Sequence, residues 1–209
     1  MALHLWITFS LAYLATTLTP GPNVLLTVAN ALRYGPAAMA ATFVGNLSAQ
    51  LVVTTAVALG VGAMLVAVPM AFMALKLLGA GYLIYLGLRQ LFARRAPAPA
   101  ESLATQGARS NRRICAQAFL VSASNPKAMI FLCAFLPQFI EAGRPVFGQF
   151  VVMYLSIAAI VLTVHSTYCY IALRFGQRLK AARWLPLLKR GTGAVFVGLG
   201  VRLLSVRAA

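Results

Sequence analysis

The sequence predicts an all-α integral membrane protein: six transmembrane helices forming two inverted three-helix repeats, the first helix of each half broken at proline. Three observations carry this. Of 209 residues, 61% are hydrophobic and only 10% charged, with a mean hydropathy of +0.86, whereas a soluble domain carries about 25% charged residues. Long stretches lack Lys, Arg, Asp and Glu altogether. None precedes Arg33, 42 residues separate Arg33 from Lys76, and 29 separate Arg144 from Arg174, against the roughly 20 apolar residues that cross a hydrocarbon core as a helix. Finally, proline interrupts two apolar stretches, at Pro20-Gly21-Pro22 and at Pro126. Disorder is excluded because unfolded segments are poor in apolar residues.

Charge-free runs, Gly and Pro breaks and terminal basic residues place the helices over 3–32, 37–66, 70–92, 113–140, 146–175 and 186–206. In the last of them Lys189, Arg190 and Arg202 must snorkel toward the interfaces. The hydrophilic stretch 94–112, containing RRAPAPAES, reads as a flexible cytoplasmic loop. It divides one transmembrane domain into repeat one, 1–93, and repeat two, 113–209. The N-terminus lacks the positive region of a secretory signal, although Ala29-Asn30-Ala31 resembles a cleavage site, so the first apolar run is expected to stay as an anchor.

Eighteen Lys and Arg against Glu101 and Glu141 give a net charge of +16. In water that would point to nucleic acid. Here the basic residues cluster in polar connections, so the expected partner is the lipid bilayer and not nucleic acid. In a six-helix arrangement thirteen fall on one side, among them Arg33, Arg94, Arg95, Arg112, Arg113 and Arg178, and only Arg144, Arg202 and Arg207 opposite. The first side is therefore expected to be cytoplasmic, with both termini periplasmic. Three helices on each side of the loop place the halves in opposite orientation. Paired breaks at corresponding places then point to a binding site.

Pro20 and Pro22 each remove a backbone donor and collide with the preceding turn. With Gly21 between them they should open the first helix, free carbonyls around Leu18 and Thr19, and start a new half-helix near Asn23, whose side chain is placed to cap it. The positive N-terminal end of that half-helix favours a carboxylate. A simple kink is the competing reading. Lys127, after Asn125 and Pro126, lies about 14 residues into its helix. An ammonium at such depth, costly by roughly 2.5 to 3.5 kcal/mol on insertion scales, needs a partner or a wet cavity. That partner is a substrate carboxylate or the opened backbone itself.

On the second helix Thr42, Asn46, Gln50 and Thr54 form a polar stripe of four-residue spacing, beside a small-residue ridge of Ala37, Ala41, Gly45 and Ala49. The stripe is either interhelical glue or one wall of a translocation cavity, to which Asn46 and Gln50 are assigned. In the third helix Gly79-Ala80-Gly81, Tyr82 and Tyr85 read as a packing surface. In the fifth, His165 lies opposite the face of Ser156, Thr163, Thr167 and Tyr170. It is the one membrane-embedded group that titrates near neutrality, as a proton carrier or as a packing residue.

Two acids, both in loops, provide no carboxylate pair for hydrolysis and no acidic metal cage. No P-loop is present. Cys115, Cys133 and Cys169 form no C-x-x-C pair and read as small apolar fillers. No enzyme activity, metal or cofactor is expected.

Thr19-Pro20-Gly21-Pro22-Asn23, the run Leu78 to Gly87, Asn125-Pro126-Lys127 and Phe135-Leu136-Pro137-Gln138-Phe139 together resemble the LysE/RhtB family of small bacterial amino-acid exporters over essentially the whole chain. The resemblance implies an inner-membrane secondary exporter of amino acids or close derivatives, coupled to protons, with the broken helices lining the site. A cation exporter of the wider superfamily, or a non-transport membrane assembly protein, is the alternative, and a homo-oligomer is open. Members of the family tend to carry an acid within the fifth helix. The stretch Ala159 to Val164 has none, and His165 is the nearest substitute. Asn23, Asn125 and Lys127 are assigned to the substrate carboxylate. Asn46 and Gln50, with the carbonyls of Leu18 and Thr19, are assigned to its amino end.

Overall fold

The computed structural model describes residues 1–67, 110–141 and 143–175, together with isolated helical positions between 77 and 92 and between 194 and 201. Most of the expected third and sixth helices and the loop 94–109 lie outside the described residues, as do Lys76 and Tyr82. Within them the chain forms α1 (Leu3–Leu18), α2 (Pro22–Tyr34), α3 (Pro36–Ala67), α4 (Asn111–Ala123), α5 (Pro126–Phe135), a 3-10 turn (Leu136–Phe139) and α6 (Val146–Phe175). There is no strand among the described residues. A broken pair followed by one long helix thus occurs twice. Pro36–Gly60 and Val146–Arg174 are long and apolar enough to cross a membrane, and α4 with α5, bent by 59°, makes a third span if the pair is one crossing.

Local chemistry explains where the elements stop. Pro20 has no N–H, so α1 closes at Leu18. Gly35 ends α2 with φ 81°, a conformation a side chain would strain, and its N–H donates to Ala31 O at 3.0 Å. Ser110 caps α4 by accepting from the Arg113 N–H. Asn125 caps α5, its Oδ1 accepting from the Lys127 N–H at 3.1 Å. Asn23 makes no such cap. Gly21 occupies the N-cap position of α2 without a side-chain bond, and the Asn23 amide is turned toward α3 and α4.

The packing uses the deep end of the small-residue ridge. Gly45 and Ala49 are buried, whereas Ala37 is exposed. At Gly45 α3 crosses α4 so closely that an added methyl would overlap the Cys115 carbonyl oxygen and crowd the Phe119 N–H. An aromatic chain ties α1 to the second break, with ring centroids 5.4 Å apart for Phe9 and Phe139, 5.5 Å for Tyr13 and Phe131, and 4.9 Å for Phe135 and Phe139. Met153, Ile157 and Val161 of α6 close this core. Leu3, Leu11, Leu155 and Phe147 point outward, which is anomalous in water and costs nothing against lipid tails.

Candidate functional site

The site grows out of what the prolines leave unpaired. A proline takes the hydrogen bond from the carbonyl four residues earlier, so Pro20 orphans Thr16 O and Pro22 orphans Leu18 O. Unsatisfied backbone in hydrocarbon costs several kcal/mol per group, and each of these carbonyls has a side-chain donor. The Lys127 ammonium donates to Thr16 O and, at 2.9 Å, to Thr19 O. The Tyr168 hydroxyl donates to Leu18 O at 2.7 Å. Lys127 therefore leaves the second break to seal the end of the first, where the negative end of the α1 dipole favours a cation. The two interruptions meet: a methyl on Gly21 would lie 4.0 Å from Lys127 Cδ. The carbonyls of Leu18 and Thr19, expected as ligands for a substrate's amino group, are engaged by the protein's own donors in this state.

Between the breaks lies a cavity of about 40 Å³ lined by Tyr13, Asn23, Gln50, Asn125, Lys127 and His165, among others. Of the expected site residues, Gly21, Asn23, Gln50, Asn125, Lys127 and His165 are thus brought together. Asn46 is not on this lining. It is the hub behind it, its Oδ1 accepting from Ser122 Oγ (2.7 Å), Gln50 Nε2 (3.0 Å) and Asn23 Nδ2 (3.2 Å). Gln50 Oε1 accepts in turn from Tyr13 OH at 3.2 Å. Glue and cavity wall prove to be one structure: Thr42 bonds Asn30 at 3.0 Å, Asn46 joins α2, α3 and α4, and Gln50 reaches the cavity. Two buried polar atoms of the network, Asn23 Oδ1 and Asn46 Nδ2, have no partner among the described residues.

His165 is 2% exposed and touches the cavity, while Thr163, Thr167 and Tyr170 face outward. Its Nδ1 lies 3.2 Å from Thr27 Oγ1. Among the described residues the single carboxylate side chain is Glu141, far from the cavity at the N-terminal end of α1, where the Ala2 N–H donates to it and Arg144 Nε lies 3.8 Å away. The ammonium of Lys127 is thus opposed by dipoles alone. Sequence reasoning missed Thr16, Tyr13, Thr27, Ser122 and Tyr168. Applying the four-residue proline offset to Pro20 would have found Thr16; the others are set by tertiary packing and leave no local signal.

The fold and site define a small multi-pass helical membrane protein whose polar residues converge on two helix breaks. The chain belongs to the LysE type translocator family, whose model matches residues 14–207. It is 27% identical to a homoserine/homoserine lactone efflux protein of Salmonella typhi, with 100% of each chain covered. It is 28% identical to a leucine efflux protein of Salmonella choleraesuis, covering 99% of this chain and 97% of the other, and 35% identical to an uncharacterized membrane protein of Pseudomonas aeruginosa, covering 94% and 93%. No solved structure matches the chain.

Proposed function

We propose that this translocator is a secondary active exporter of amino acids or close derivatives in the bacterial inner membrane, working by proton-coupled alternating access between two inverted halves with both termini periplasmic. The observation that carries the reading is the ammonium of Lys127 anchored between the two breaks on the wall of a polar cavity. A lysine amine has three N–H donors, and two go to Thr16 O and Thr19 O. The third, with the N-terminal ends of α2 and α5, serves a substrate carboxylate, as half-helix termini do in transporters. Asn125 caps the second of those ends, and Gln50, held by Asn46 behind the lining, orients the rest of the molecule. A cavity of about 40 Å³ holds water but falls well short of the roughly 300 Å³ of a small-ligand pocket, so substrate entry requires the halves to part. A resident cation also disfavours cation export.

The test is export from a bacterium lacking its own exporters and loaded with dipeptides. Cells carrying the wild-type chain should release at least one amino acid faster than cells carrying Lys127→Ala, by about ten- to a hundred-fold, the worth of a charge-assisted hydrogen bond. Equal release of every amino acid by the two overturns the proposal.

A further inference from the structure

We infer that the neutral imidazole of His165 and the side-chain oxygen of Asn23 together seat the substrate's ammonium group, a task usually given to a carboxylate. The inference rests on the amino-acid reading above and assigns the other end of the same molecule. It follows from counting hydrogens. Thr27 Oγ1 owns one hydrogen and donates it to Asn23 O at 2.7 Å. The same oxygen lies 3.2 Å from His165 Nδ1, so in that contact it accepts, and Nδ1 carries the proton. Lys127 already places one positive charge on this cavity, and no described carboxylate faces it to balance a second. The ring is therefore neutral and its Nε2 is an acceptor.

Asn23 supplies the second acceptor. Its Nδ2 is spent on Asn46 Oδ1 and Ser122 Oγ, at 3.2 and 3.3 Å. Its Oδ1 is buried without a partner among the described residues. Four other acceptors around the breaks are engaged: Leu18 O by Tyr168, Thr16 O and Thr19 O by Lys127, Gln50 Oε1 by Tyr13. A zwitterion thus meets a donor pole at Lys127 and an acceptor pole at Asn23 and His165. Thr27 is a positioning residue: its hydroxyl ties the imidazole to α2 one turn beyond Asn23 and selects the tautomer. His165 in this arrangement binds substrate and does not carry the coupling proton.

The test uses the full chain in lipid vesicles, with L-homoserine, L-leucine and their N,N-dimethyl derivatives as probes. Dimethylation keeps the charge and leaves one N–H where there were three. The wild-type protein should prefer each parent over its dimethyl form by at least about ten-fold, and His165→Leu and Thr27→Val should cut that preference below about three-fold. Thr27→Val keeps the side chain's shape, so its effect isolates the hydrogen bond from the volume of the seat. His165→Gln, whose Oε1 can accept, should restore most of the preference. A preference that stays near ten-fold in both His165→Leu and Thr27→Val overturns the assignment while leaving amino-acid export standing. If the wild-type chain moves no amino acid at all, the export reading falls and this one with it.

Discussion

Lys127 and Tyr168 do related work with different charges, and substitution separates them. Tyr168→Phe removes only the donor to Leu18 O and leaves a carbonyl unpaired, a cost of about 1–3 kcal/mol. It should lower the unfolding temperature in detergent while the export proposed above continues as before. Lys127→Met strips Thr16 O and Thr19 O together with the donor pole, so stability and export should both fall; a variant that melts lower yet exports normally would contradict the site. Gly45 makes a third case. A methyl there would meet backbone atoms of α4, Cys115 O and Phe119 N, which cannot rotate away, so Gly45→Ala should cost about 1–3 kcal/mol by overpacking, read as a lower melting temperature.

The breaks hold because each exposed helix end is capped or filled. Asn125→Ala removes the α5 cap, worth about 1 kcal/mol, and loosens the turn that aims Lys127, so export should weaken along with stability. Gly21 behaves differently. It stands between the two prolines that open the first helix, yet it adopts φ −120° and ψ −171°, which any residue reaches, and a methyl there meets only the flexible Lys127 stem at 4.0 Å. Gly21→Ala should fold and melt like the parent, and a large loss of export with normal melting would show that the hinge freedom is used in another state of the cycle. The N-terminal end of α1 is held by Glu141. Desolvation pushes its carboxyl up, but hydrogen bonds from the Ala2 N–H and the N-terminal ammonium, with the charge of Arg144, outweigh it and hold the group below its ordinary value. A depressed carboxylate contributes stability above its unfolded value, and that contribution is lost as pH falls through the folded one. Protection factors against hydrogen exchange at residues 2–8, corrected for the intrinsic rate, should therefore fall on acidification below 4.5, and Glu141→Gln should abolish the dependence.

Across the whole molecule, the bounds of the long helices and both breaks were legible because lipid enforces them: apolar length sets a span, and a proline within it opens the backbone. Of the cavity residues, Asn23, Gln50, Asn125, Lys127 and His165 were legible for the same reason, being polar where polarity is expensive, as was Asn46 behind them. Their partners were not. Nothing local in the sequence pairs Lys127 with Thr16 across 111 residues, or turns Asn23 away from its own helix end toward Ser122; helix crossings such as that at Gly45 decide these. Orientation is a third kind of property, expected from the surplus of thirteen basic residues over three in the proposed six-helix arrangement and from the membrane's response to it. The proposed topology would put Asn111, at the start of α4, in the cytoplasm and Pro145, just before α6, in the periplasm. Both are exposed. With Cys115, Cys133 and Cys169 replaced by serine, Pro145→Cys should react with a membrane-impermeant maleimide in intact cells, and Asn111→Cys only after permeabilisation. The opposite pattern would invert the molecule, and with it the direction in which the Lys127 cavity must open to release its cargo.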